Sequence, residues 1–276
     1  MGAARGEGIP GNVGDPVRRG GQVQEVLRVT ERHFLCTACG KCCNGWLPLT
    51  LADALAHAAR FPLAMVWTPV RRGARAFNVT AELGVTVGRK IAVQIAPMSY
   101  LPRAASCPAL EADGRCGIHA DKPLRCRAMP LYPYRDESDQ RAMLIPRPGW
   151  ACDVSPSAPV VWRDGKVVDR ENFDAERKQL RAEAPTLRAY AEGLMAAVPW
   201  VAEALSKAAA KPAGGFVVLN FSTILPRLAI DPAAFAAMQA PVLTHWAAAT
   251  ADKPELAAYH AHYRDWAREL EGRLAS

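Results

Sequence analysis

Four cysteine thiols fall within the eight positions from residue 36 to residue 43, as Cys36, Cys39, Cys42 and Cys43. A thiolate is a soft, anionic donor, and Cys-x-x-Cys spacing lets two of them converge on one metal ion or one cluster corner. Four more, Cys107, Cys116, Cys126 and Cys152, follow downstream, and the chain has no cysteine after them. Eight thiols confined to residues 36 to 152 are a ligand set that folding can close. The pattern selects metal binding without selecting the metal.

Cys42 and Cys43 are chain neighbours, and adjacent side chains tend to point apart. They are awkward ligands for a single tetrahedral ion. This favours two centres, or a multinuclear cluster with a second site, over one zinc, and eight thiols suffice for two four-thiolate sites. Cys36, Cys39 and Cys42 copy the first three spacings of the bacterial ferredoxin run, whose fourth ligand to that cluster comes from elsewhere in the chain. Cys107, Cys116, Cys126 or Cys152 would serve. Zinc, which needs only tetrahedral thiolates, remains the competitor to an iron-sulfur cluster.

Other groups lie close by in sequence. His33 precedes Cys36 at ligand spacing, but reads as a packing or hydrogen-bonding residue. Arg125 and Arg127 flank Cys126 and could donate to its thiolate or to an acidic substrate; charge compensation is the preferred reading. Tyr132 and Tyr134 read as packing against a helix. His245, His260 and His262 are far from the cysteines and read as structural.

The elements that must position the thiols follow from pattern. Residues 1–21 read as a mobile Gly-rich arm, and Gln22 to Leu35 as a short strand or helix leading into the first cysteines. Thr50-Leu51-Ala52-Asp53 resembles a capping box opening a helix from about Leu51 to Arg60, ended by Phe61-Pro62. Met65–Trp67, Val85–Val87 and Ile91–Ile95 are candidate strands of a small antiparallel sheet. Asp113-Gly114 is a turn that folds Cys107 and Cys116 together. Ser155 to Pro159 marks a boundary, and Val160 to Val168 reads as a hairpin with Asp164-Gly165 at its tip. Phe173, Leu180, Leu187 and Leu194 recur every seven residues, with Pro185 expected to split the stripe into two helices. Further helices are expected near 200–210, 232–247 and 254–274. The last is expected to open on a capping pair, Asp252 and Glu255, and to face Leu256, Tyr263, Ala267, Leu270 and Leu274 inward.

A chain of 276 residues buries a full core without staples. Its first residues lack the apolar stretch of a secretory signal, and no later run reaches membrane-spanning length, so a cytoplasmic protein is expected. Thiols stay reduced there, which favours metal over disulfides, although an even count of eight would also suit four disulfides. The net charge of +7 is spread in pairs no longer than Arg18-Arg19 and Arg71-Arg72. Nucleic acid is therefore not the expected partner; a protein partner or substrate of unknown identity is.

The ordered string Cys36-x-x-Cys39-x-x-Cys42-Cys43, Cys107-Pro108-x-Leu110, Asp113-Gly114-x-Cys116-x-Ile118 and Lys122-Pro123-Leu124-x-Cys126-Arg127-x-x-Pro130 resembles the CxxCxxCC cysteine-cluster family. This is the YkgJ-type group, proposed to chelate zinc or iron. Thr50 and Asp53 match the start of the helix that follows the family's first cluster. The group includes flagellin lysine N-methylases, so the resemblance implies, as an alternative, an iron-sulfur enzyme using S-adenosylmethionine. Where the family often has an aromatic residue this chain has His119, an extra ligand or, as read here, a surface substitution. The radical S-adenosylmethionine spacing Cys-x-x-x-Cys-x-x-Cys is absent, and no motif identifies flagellin as substrate. A third class is a zinc-stabilised adaptor binding protein or nucleic acid.

The expectation is an α+β protein. A cysteine-rich metal-binding domain with small antiparallel strands, residues 22–153, precedes a mainly helical region, residues 154–276. Its metal ligands are Cys36, Cys39, Cys42, Cys43, Cys107, Cys116, Cys126 and Cys152.

Overall fold

The computed structural model describes residues 31–144, 146–147 and 149–274. The expected arm at 1–21 and most of the lead-in element lie outside the described residues. Within them the protein is α+β, with antiparallel sheets and a mainly helical C-terminal region.

The larger sheet is built around β3 (Leu63–Arg71) and β5 (Ile91–Ser99), paired antiparallel along their full length from Leu63 opposite Ser99 to Arg71 opposite Ile91. Leu63–Trp67 of β3 and Ile95–Ser99 of β5, which pair with each other, are buried at every position and so on both faces. β2 (Leu47–Pro48) and β4 (Val85–Val87) pair with β5. The other edge of β3 is taken by β8 (Val217–Asn220), a strand from the far end of the chain that local pattern did not reveal. Helix α2 (Phe77–Leu83), between β3 and β4, was likewise not expected. The smaller sheet has the order β1-β6-β7, with β1 at Glu31–His33, β6 at Val160–Arg163 and β7 at Lys166–Val167. Asp164 and Gly165 form its hairpin tip, as expected, both at positive φ.

Each sheet has its own core. Trp67, Met65 and Ile95 of the larger sheet pack with Leu187, Leu205, Phe221, Phe235 and Tyr263 from later elements. The smaller sheet covers a separate cluster made of Phe34, Leu131, Leu144, Val161, Trp162, Val167 and Phe173.

Three expectations need correction. Helix α1 spans Leu51–Ala56 and stops short of Arg60. Turns continue the chain from His57 to Phe61, and Gln239 of α6 (Pro232–Thr250) holds their end: its buried amide donates to the carbonyls of Ala58 and Phe61, and its Oε1 accepts from the Leu63 amide at 3.0 Å. A distant side chain thus satisfies carbonyls that have no intrahelical partner ahead of Pro62.

Pro185 does not split its helix, and α4 runs unbroken from Glu171 to Ala197. The proline and Arg181, whose carbonyl loses its partner, both lie on the exposed face. Phe173, Leu180 and Leu187 meanwhile hold the buried stripe on both sides of it. Finally, Asp252 and Glu255 make no cap. A short 3-10 turn, Pro254–Leu256, precedes α7 (Ala257–Leu274) without a side-chain capping bond. Along α7, Tyr263, Ala267 and Leu270 are buried as expected, but Leu274 is exposed and Trp266 takes a place on the inner face. The fourth helix of this region is α5, Pro199–Ala210. Among the described residues no helix is long and apolar enough to cross a membrane.

Candidate metal centre

Two backbone bridges decide which thiols meet. Leu35 and Asp153 pair antiparallel, each amide donating to the other's carbonyl at 2.8 and 3.0 Å. One step along each chain sets Cys36 opposite Cys152. A further step sets Thr37 opposite Ala151, and the Thr37 hydroxyl donates to the Ala151 carbonyl at 2.9 Å. The bridge continues from β1, and Cys152 packs against the smaller core.

The second bridge pairs Asn44 with Ser106. It sets Cys43 opposite Cys107, whose amide donates to the Cys43 carbonyl at 2.9 Å. The Gly45 amide donates to Ala105 at 3.1 Å, and β2 then joins the larger sheet. Cys107 packs against the larger core. A bridge between Leu110 and Cys116 closes the expected turn at Asp113-Gly114, bringing Cys116 back towards Cys107. Cys126 sits on the short helix α3, Leu124–Arg127.

α3 is tied to α1 through Asp53. The Asp53 amide donates to the Thr50 hydroxyl oxygen at 3.0 Å, as the cap requires. The Asp53 carboxylate, however, accepts from the Thr50 hydroxyl at 2.8 Å and from the Leu124 amide at 3.1 Å, so it ties two segments together rather than closing on the Thr50 amide. The α1 N-terminus itself is met by Glu183 of α4, which accepts from the amides of Leu51 and Ala52 at 2.8 and 3.1 Å.

The thiols also influence one another electrostatically, across the two pairings as well as within them. Cys152 feels the charges of Cys39, Cys36 and Cys42, while burial raises it. Burial likewise raises Cys107, which feels Cys116 and Cys42, and pushes Cys126 up to about 12, where it feels Cys107, Cys42 and Cys116. Cys43 and Cys42 share a hydrogen bond that lowers Cys42 and raises Cys43, and Cys43 also feels Cys107 and Cys126. Cys39 is lowered by backbone hydrogen bonds at Lys41 and Ala151. Cys42 is thus felt by Cys39 and Cys152 on one side and by Cys43, Cys107 and Cys126 on the other. Among the described residues, no three His, Cys, Asp or Glu side chains stand together as a formed metal-holding cluster. What the backbone has fixed is the choice of neighbours.

Two residues that the cysteine pattern did not single out make this possible. Gly40 has φ +68, and a Cβ there would stand 2.6 Å from the Gly114 carbonyl oxygen and 3.0 Å from Leu110. Only glycine lets the first cysteine loop lie this close on the hairpin that carries Cys116. Trp46, three residues past Cys43, donates to the Tyr259 hydroxyl of α7 at 2.7 Å, and Tyr259 stacks on Tyr100. This anchors the exit of the first loop.

Arg125 is not directed at a thiolate. It is buried against Glu176 of α4 at 3.1 Å and donates to the Leu131 carbonyl. Burial pushes the Glu176 carboxyl up to about 7, with Arg125 opposing the rise. Arg127 donates to the Lys122 carbonyl at 2.8 Å. Tyr134 is buried with Val79, Leu83 and Leu180, and Tyr132 packs against the same group. The histidines are placed apart from the thiols or otherwise engaged. His33 is 2.6 Å from the Ala158 carbonyl, His260 is 2.9 Å from that of Ala247, and His262 stacks on Trp266. His119 is exposed. Beside Cys43 opens a cavity of about 470 Å³ lined by Lys41, Asn44, Arg103 and Ser106, while the cations that favour thiolate charge are Lys122 at Cys42, Arg60 at Cys107 and Arg125 at Cys126.

The donor set suits zinc or iron: all thiols, gathered by backbone pairing, with cations nearby and no disulfide formed among the described residues. Residues 35–146 match the model of the CxxCxxCC family, described as a domain proposed to chelate zinc or iron. The matched stretch contains seven of the eight cysteines; Cys152 lies beyond it. No curated protein and no solved structure matches the chain.

Proposed function

We propose that the CxxCxxCC stretch of this chain, together with Cys152, is a metal-binding module that holds zinc or iron-sulfur through its thiolates. The observation that carries this reading is the pair of backbone bridges, which gather cysteines from three separate stretches of sequence into contiguous neighbourhoods. Soft anionic donors in that arrangement release protons and converge when a metal binds, so binding and local folding are one process. Bound zinc would supply a redox-inert crosslink; an iron-sulfur cluster would supply electron transfer or substrate ligation.

The test is metal and acid-labile sulfide content, with an absorption spectrum, on the full chain purified without oxygen. Iron with sulfide and broad visible absorbance identifies a cluster, and zinc without sulfide identifies a structural site. Protein free of both metals, with its activity or partners unchanged by chelation, overturns the proposal. A methyl-transfer enzyme would additionally bind S-adenosylmethionine saturably, which equilibrium dialysis against the labelled cofactor measures.

A further inference from the structure

The sequence scatters its cations in pairs, and the fold sets two of those pairs against each other. Arg71 ends β3 with Arg72 just past it, and Arg89 and Lys90 lead into β5 at Ile91. The Arg72 amide donates to the Lys90 carbonyl at 2.8 Å, one step past the pairing of Arg71 with Ile91. Arg72 and Lys90 therefore stand opposite each other across an antiparallel ladder. Like charges in that position repel and weaken the strand pair. Among the described residues no carboxylate pairs with Arg72, Arg89 or Lys90; Asp139 is engaged by Arg75 at 3.6 Å and Glu203 by Lys207 at 2.6 Å.

The end of α5 closes the other side. Arg71 donates to the Ala209 carbonyl and, at 3.1 Å, to that of Lys211, so it satisfies acceptors that the helix terminus leaves open and is fixed there. Between helix end and strands lies a groove of about 520 Å³, lined by apolar Ile91, Ala209 and Ala210 and by the cations Arg71, Arg72 and Lys90. Of these only Ala209 is buried and Ile91 half-buried, so the groove is open. Sites for small molecules enclose most of their ligand. An open groove instead takes a chain segment lying across it.

We propose that this groove docks an acidic segment of a partner protein, with an apolar side chain against Ile91, Ala209 and Ala210 and carboxylates on Arg72 and Lys90. Each carboxylate bound there replaces a repulsion by an attraction, and the planar fork of Arg72 suits a carboxylate through two parallel hydrogen bonds. Single-stranded nucleic acid asks for aromatic platforms beside its cations, and no aromatic residue lines this groove. No cysteine lines it either, so the docking stands apart from metal binding.

The full chain is titrated into a short fluorescein-labelled peptide of alternating glutamate and leucine, followed by fluorescence anisotropy. Saturable binding that weakens as salt rises is expected. Arg72→Gln/Lys90→Gln should weaken it by about tenfold, while Lys166→Gln, which removes an exposed cation from β7, should leave it unchanged. The double should also keep or raise the thermal midpoint, because it removes like charges held together. Absence of saturable binding, equal affinity in wild type and double, or equal affinity for the peptide with glutamine in place of glutamate overturns the proposal. Tighter binding of a single-stranded oligonucleotide of equal charge overturns it in favour of nucleic acid. A lowered midpoint in the double overturns it as well, by showing that the two cations already have stabilising partners within the fold.

Discussion

The two thiol neighbourhoods differ in what holds them. The Cys43–Cys107 side is continuous with the larger sheet, whose core also includes residues of α4, α5, α6 and α7. The Cys36–Cys152 side hangs from a three-stranded sheet over seven buried residues. A small core supplies little surplus stability, because few apolar side chains must offset the ordering of the backbone around them. The same ligand chemistry is thus built on a firm foundation and on a weak one. Where metal is bound, it contributes proportionally more to the weak one.

The strongest way to break this contrast is to empty the small core. Trp162 is buried there and donates its Nε1–H to the Glu137 carbonyl at 2.7 Å. Trp162→Ala should cost about 3–5 kcal/mol locally. Hydrogen exchange should rise around β1, β6 and Cys152 while β3 and β5 stay protected, and loss of protection across both sheets would show that the two bodies unfold together.

Arg125→Met strikes the other side by leaving Glu176 buried without its partner, at a cost of about 3–5 kcal/mol. The double Arg125→Met/Glu176→Leu should recover most of it in thermal unfolding, since the remaining charge is removed. If the double is no more stable than the single, the pair is not what positions α3 and, with it, Cys126.

Gly40→Ala tests the junction between the two sides. Left-handed backbone at alanine costs about 1–2 kcal/mol, and the clash with Gly114 adds to it. Metal affinity at the Cys116 side should fall by at least tenfold, measured by competition with a chromogenic chelator. Thr50→Ala removes the α1 cap and should cost about 1 kcal/mol, with metal content unchanged. His119→Ala should alter neither metal content nor stability, and a lost metal equivalent would make His119 a ligand.

The candidate ligands were legible because thiol chemistry is rare and its spacing is local. The Asp113-Gly114 turn, the hairpin at Asp164-Gly165 and the start of α1 were legible for the same reason, as each depends on residues within a few positions of one another. Pro185 misled because a local rule, the missing amide, was outweighed by burial on both sides of it. The anchoring of the turn after α1 was invisible because Gln239, which holds it, is far along the chain. β8 is only four residues long and needs the edge of β3 to be a strand at all.

By itself, then, the sequence determined the chemistry on offer: eight soft thiols, their number and their local spacing. Which cysteine faces which was decided only in three dimensions. The Leu35–Asp153 and Asn44–Ser106 pairings join residues more than sixty positions apart. Backbone hydrogen bonds carry no residue-specific signal, so such pairings are selected by the packing of two separate cores rather than by any motif.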